Sequence, residues 1–167
     1  MLVASPHLTH PTTQTTHYQL MMMTPEEILE DFSWLESWDD RYGYLVELGR
    51  GLPPMDPADK TEETRIEGCQ SGVWIKTTTA GSPPVLTFVG DSDSAIVKGL
   101  VAIVISLVNG RSPKEILALD IPEFFAKLNL ENHLSPTRKT GLNEMVKSIK
   151  QQAAVLVEME AADDPAT

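Results

Sequence analysis

The one cysteine of the chain, Cys69, lies in the stretch RIEGCQSGVWIKT, residues 65–77, between Gly68 and the polar pair Gln70 and Ser71. A single cysteine is most often a small buried hydrophobe. Its neighbours argue otherwise. In a strand, the residues two positions away share a face, and here they are Glu67 and Ser71 rather than apolar side chains. GCQSG therefore reads as a loop tip. Gly68 and Gly72 permit backbone angles and close approaches that other residues resist, so a sulfur of another molecule can reach the thiol.

One thiol limits the chemistry. It allows no intramolecular disulfide and no multi-cysteine zinc or iron-sulfur ligand set, and it fits a reducing, cytoplasmic compartment. A cysteine hydrolase needs a base to make the thiolate, and outside residues 1–23 the only imidazole is His133. A peroxidatic cysteine needs a resolving thiol, which another molecule would have to supply. A sulfur acceptor needs only a thiolate, access, and a donor that carries a persulfide.

The elements that position this loop can be read from periodicity and caps. Thr24, Pro25 and Glu27 have the pattern of a capped helix start with a capping box, and Ile28, Leu29, Phe32 and Leu35 recur at helical spacing. After SWDD, Tyr42, Leu45 and Leu48 continue a second amphipathic helix that Gly51 ends, so the domain opens as a helical hairpin. LPPMDPADKTEE is a loop. VWIKTTT and VLTFVGD flank a Gly-Ser-Pro turn as a β-hairpin, and TRIEG offers a third short strand. Alternation places Trp74 and Ile75 on opposite faces, and Trp74 is the one expected in the core.

Asp91 and Asp93 are read as caps for an apolar helix over residues 93–108, from which Lys98 snorkels. SPKE is a second capping box, followed by short helices through EILAL and IPEFFAKL. A last helix begins near Leu142 and carries Met145, Val146, Ile149, Ala153 and Leu156 on one face. The expected fold is α+β, a small antiparallel sheet of about three strands covered by helices.

Composition agrees with a single folded domain. A chain of about 150 residues buries roughly 70% of its unfolded surface, and 41% hydrophobic with 22% charged residues is ordinary for a globular protein. The 13 basic and 24 acidic side chains give a formal net charge of -11, which repels nucleic-acid backbones and anionic membranes. The run AIVKGLVAIVISLV, residues 95–108, is shorter than the roughly 20 residues that span a bilayer and reads as a buried helix.

Residues 1–23 lack the features of a signal or transit peptide and are expected to be a disordered tail, with the natural start near Met21–Met23. His7, His10 and His17 in that tail are a weak metal set, because a flexible segment must first be ordered around the ion. The domain is placed at residues 24–160 and a frayed end at 161–167.

The blocks DDRYGYLVELGRGLPPM, GCQSGVW, GDSDSAIVKGL, SPKEI and HLSPTRKTGLNEM occur in one order over nearly everything from Asp31 to Ile149. In this the chain resembles the SufE/CsdE sulfur acceptors, which work with cysteine desulfurases in iron-sulfur cluster assembly. The resemblance implies a SufE/IscU-like fold and makes Cys69 the residue that takes sulfane sulfur as a persulfide and passes it on. It implies a SufS/CsdA-like, pyridoxal-phosphate-dependent desulfurase as donor and activated partner and a SufBCD-like scaffold as recipient, with no cofactor on this chain, and it admits a homodimer.

By the same resemblance Gly68, Gln70, Ser71 and Gly72 shape the loop or the docking surface. Arg138 of SPTR either favours the thiolate, holds a carboxylate, or is a surface arginine, and His133 packs its own loop. Thr137 stands where the family more often has serine. Two alternatives stay open: a non-catalytic binding module that activates a desulfurase allosterically, and a hydrolase using Cys69 with His133.

Overall fold

A computed structural model of the chain describes residues 22–163. Helix α1 (Pro25–Trp34) begins where expected, with the Thr24 hydroxyl accepting the Glu27 amide at 3.2 Å, although the return bond that would complete a capping box is absent. Helix α2 (Trp38–Arg50) starts on Ser37, whose hydroxyl accepts the Asp40 amide at 3.1 Å, and stops at Gly51. Both helices read from the sequence are present, and they meet through the Tyr44 hydroxyl donating to Asp31 at 2.7 Å and the edge-to-face rings of Phe32 and Tyr44 rather than as a closely packed hairpin.

Helix α3 (Ala95–Val108) is the centre of the core. Leu100, Val101, Ile103, Val104, Ile105 and Val108 are each 1% exposed or less, as expected of a helix that is apolar all round. Burying each such side chain contributes about 1.5–3 kcal/mol. The helix packs against α2 on one side and the sheet on another. Its contact with α2 is made through glycine: a Cβ added to Gly99 would overlap the Leu45 carbonyl.

The sheet has two antiparallel strands, β1 (Val73–Ala80) and β2 (Val85–Ser92), in register from Val73 opposite Ser92 to Ala80 opposite Val85. The third strand expected at TRIEG reduces to one bridge between Arg65 and Trp74, with Ile66 N donating to Val73 O and Ile75 N to Thr64 O, both at 2.8 Å. Local turns limit it on both sides. Thr64 is tied into a turn by the Asp59 carbonyl at 2.6 Å, and beyond Ile66 the chain bends at Gly68, whose φ is +85°. The core face of β1 is taken by Val73 and Ile75, not by Trp74. Trp74 lies half-buried on the opposite face, with the Lys60 ammonium 5.2 Å from its ring centroid, an arrangement that suits a large ring with a polar edge.

Helix α4 (Pro113–Ala118) carries a complete capping box between Ser112 and Glu115 and is followed by α5 (Ile121–Lys127). Helix α6 (Pro136–Ala162) starts six residues before the expected Leu142, because Ser135 caps it by accepting the Arg138 amide at 3.3 Å and Pro136 fills its first position. The Lys150 ammonium on α6 donates to the Ile116, Leu117 and Leu119 carbonyls, fixing the C-terminal end of α4 against the long helix. Met22 and Met23 pack against the core. Residues 1–21, including His7, His10 and His17, and residues 164–167 lie outside the described residues. Among the described residues no helix is long and apolar enough to cross a membrane.

Candidate functional site

The Cys69 loop is held at both ends by main-chain geometry. On its N-terminal side Gly68 takes a positive φ, and a side chain there would crowd Glu144 on α6, its Cβ 3.0 Å from Glu144 Cγ. On its C-terminal side the Gly72 amide donates to both carboxylate oxygens of Asp93, each at 3.0 Å. The Gly72 carbonyl accepts from the buried Ser92 hydroxyl at 2.8 Å. Asp93 is thus an anchor of the cysteine loop and not a helix cap. The cap of α3 is Ser94, whose hydroxyl accepts the Val97 amide at 3.4 Å, while Asp91 pairs with Lys60 at 2.6 Å and Lys98 at 3.3 Å.

Between these anchors Cys69 is half-buried rather than fully exposed. Its thiol donates to the Gly141 carbonyl of α6 at 3.6 Å. Gly141 makes that approach available, since a Cβ on it would lie 3.3 Å from Cys69 Sγ, tighter than an ordinary contact. The sulfur faces a cavity of about 330 Å³. Val97, Leu100 and Met145 form its apolar part, and Ser71, Ser94, Thr137 and Arg138 bring polar groups to it.

The electrostatics of the site favour the neutral thiol. Burial pushes the Cys69 pKa up, the Glu144 carboxylate pushes it further, and the Arg65 guanidinium acts in the opposite direction. The Gly141 carbonyl works with burial and Glu144, because it can accept a hydrogen bond from S–H but offers nothing to a thiolate. Burial, Glu144 and the Gly141 carbonyl thus act together to favour the protonated thiol where it rests on α6.

Of the residues singled out from the sequence, Gln70, Ser71 and Arg138 line the same cavity as Cys69, and Gly68 and Gly72 shape the loop. Arg138 is half-buried and makes no ion pair among the described residues. His133 is elsewhere. Its ring stacks on Trp38 with centroids 3.3 Å apart, and its carbonyl accepts from the Tyr42 hydroxyl at 2.7 Å. It does not line the Cys69 cavity, so the Cys69/His133 hydrolase lacks its base in this arrangement.

Gly141, Glu144 and Arg65 are not legible as site residues in the sequence. The signal for the first two is the Ser135-Pro136 pair: a helix begun there places Arg138, Gly141 and Glu144 within two turns of one another, whereas a start at Leu142 leaves the first two in a loop. Arg65 carries no local signal. Its relation to Cys69 arises from the bend at Gly68.

The family model described as "SufE, Fe-S metabolism associated domain" matches residues 26–153. The chain belongs to the SufE family. That membership places it in iron-sulfur metabolism. Among its relatives, an uncharacterized SufE-like protein of Rhizobium etli is 45% identical over 139 residues, which covers 82% of this chain and 94% of the relative. An uncharacterized SufE-like protein of Rhizobium meliloti is 42% identical over 134 residues, covering 79% of this chain and 96% of the relative.

A solution structure of a hypothetical protein from Thermus thermophilus shares the fold of this chain with a TM-score of 0.64. It covers 81% of this chain and 99% of its own at 22% identity, a likeness of fold alone. The Cys69 loop, its Asp93 anchor and the cavity wall up to Met145 all lie inside the matched residues 26–153.

Proposed function

We propose that this SufE-family protein accepts sulfur from a pyridoxal-phosphate-dependent cysteine desulfurase and hands it to an iron-sulfur scaffold, with Cys69 as the carrier. The observation that supports this most is the seat of the thiol: the one cysteine of the chain faces a partly apolar cavity from a loop anchored at both ends. A half-buried thiol facing a cavity is partly withdrawn from water, which suits a carrier of reactive sulfur. Cysteine desulfurases are partners of the matching chemistry because they form a persulfide on their own cysteine.

The transfer is a thiol exchange. The Cys69 proton is lost to solvent, the thiolate attacks the terminal sulfur of the donor persulfide, and the donor S–S bond breaks. The donor cysteine leaves as a thiolate with the bonding electron pair, and Cys69 carries the new persulfide. No net oxidation or reduction occurs. Moderate thiolate basicity suits this step, because nucleophilicity falls as the pKa falls. Clearing the donor's sulfur also raises the donor's turnover when that removal is slow. The chain's own residues supply the loop, the cavity and the charges around sulfur, and the pyridoxal phosphate belongs to the donor.

The test is mass spectrometry after incubation with a cysteine desulfurase and cysteine. Wild type should gain sulfur on Cys69, and Cys69→Ser should gain none while melting within a few degrees of wild type. No added sulfur on wild type would sink the proposal. Desulfurase activation that survives Cys69→Ser in full would instead support an allosteric binding module in which the thiol is dispensable.

A further inference from the structure

Glu144 is a half-buried carboxylate on α6, one turn beyond Gly141, and among the described residues it makes neither an ion pair nor a hydrogen bond. Its side chain lies against the Gly68 backbone, so it stands at the entrance of the Cys69 loop. The charged groups acting on the thiol come from two elements. Glu144 on α6 opposes ionisation, Arg65 on the segment before the loop favours it, and Arg138, also on α6, faces the shared cavity. The α3 wall adds Ser94, Val97 and Leu100, none of which is charged. A carboxylate beside the sulfur opposes formation of the attacking thiolate, and among the described residues no cation is paired with it.

We propose that Glu144 is a positioning residue that holds Cys69 in its unreactive form until a partner surface carrying a lysine or arginine docks beside the loop and neutralises it. This deepens the sulfur-acceptor reading and rests on it. The logic is electrostatic. Burial is the larger obstacle to the thiolate, and a cation brought against Glu144 removes the repulsion that the carboxylate adds to it while Arg65 still favours ionisation, so ionisation of sulfur is coupled to arrival of the right surface. An acidic surface would add to the repulsion and be refused. A donor for this chain therefore presents a basic side chain next to its persulfide, in keeping with the formal net charge of -11 on this protein.

Two measurements on the full-length protein without any desulfurase test this. The first is the rate of Cys69 alkylation by neutral iodoacetamide across pH. Glu144→Gln, which keeps size and helix preference, should move the profile to lower pH and raise the rate near pH 7 by about three-fold or more, as removal of one charge near the surface allows. Arg65→Gln should move the profile to higher pH.

The second is mixed-disulfide formation with cystamine, a cationic disulfide, against dithiodiglycolate, an anionic one. In each case the Cys69 thiolate attacks one sulfur, the S–S bond breaks, and half of the reagent leaves as a thiolate. Wild type should favour the cationic reagent, and Glu144→Gln should lose most of that preference.

An unchanged or upward-shifted profile in Glu144→Gln, or an unchanged preference between the two disulfides, overturns the proposal. Neither result depends on sulfur loading by a desulfurase. That loading therefore decides the acceptor reading separately.

Discussion

Gly99 on α3 and Gly141 on α6 do the same thing for different guests. At Gly99 the guest is the backbone of α2, with the Leu45 carbonyl lying where a Cβ would be, and the Lys98 and Gly99 main chain also stands 2.9–3.0 Å from the Cβ position of Gly49. At Gly141 the guest is a single sulfur, seated 3.3 Å from the Cβ position and held by one weak S–H bond of 3.6 Å. The first contact joins two helices through the middle of the core and has no slack. The second joins a loop to a helix through one side chain and can be let go. A helix-helix contact in the core and a thiol at the surface of a long helix use the smallest residue alike, and the difference lies in what rests on it.

Substitutions can break that comparison. The largest effect is expected at the rigid contact: Gly99→Ala should cost about 2 kcal/mol or more despite alanine's better helix propensity, because backbone must move to admit the methyl group. Denaturant unfolding measures it, and a stability equal to wild type would mean that α2 can shift freely. Next is the anchor of the loop. Asp93→Ala removes the carboxylate from the Gly72 amide and should cost about 1–3 kcal/mol. Hydrogen exchange at Gly72 should quicken with it, while amides in α3 keep their protection relative to global stability.

Gly141→Ala should change stability by less than about 1 kcal/mol, since helix propensity offsets the tighter contact. Its signature is chemical instead: Cys69, displaced from the α6 carbonyl, should be alkylated about two-fold faster or more. Equal alkylation rates would show that the sulfur does not depend on its seat.

The smallest effect is the pH dependence of stability. The folded-state pKa of Cys69 is raised, so as pH rises the unfolded chain ionises first. The thiol's contribution is fully present below the ordinary thiol range and is lost as pH climbs through the folded pKa. Wild type should accordingly lose stability relative to Cys69→Ser in alkaline buffer only, which paired unfolding curves at neutral and alkaline pH would show.

Much of the framework is legible in the sequence because it depends on near neighbours. The caps at Thr24 and Ser112, the stop at Gly51, and the hairpin around Gly-Ser-Pro rest on spacings of a few residues, and each is where those spacings put it. The misplacements share a cause. Local pattern sets the start of α6 at Leu142 because Ser135 has Arg138, not an acid, at the third helical position, so the capping box that marks Ser112 is missing there. Alternation puts Trp74 and Ile75 on opposite faces correctly, but which face the core occupies depends on where α3 lies, and periodicity does not carry that. Asp93 looks like a cap because it precedes a helix; its carboxylate turns instead to an amide twenty-one residues earlier.

The sequence by itself determined that the chain carries one thiol, flanked by glycines and polar residues, and its ordered blocks determined the SufE family. Only the tertiary structure decided how that thiol rests. Its burial, the Gly141 carbonyl, Glu144 and Arg65 meet at Cys69 because the bend at Gly68 lays the loop on α6, more than seventy residues along the chain. The reactivity of a sulfur depends on the charges and dipoles within a few ångströms of it, and those are set by packing between distant segments.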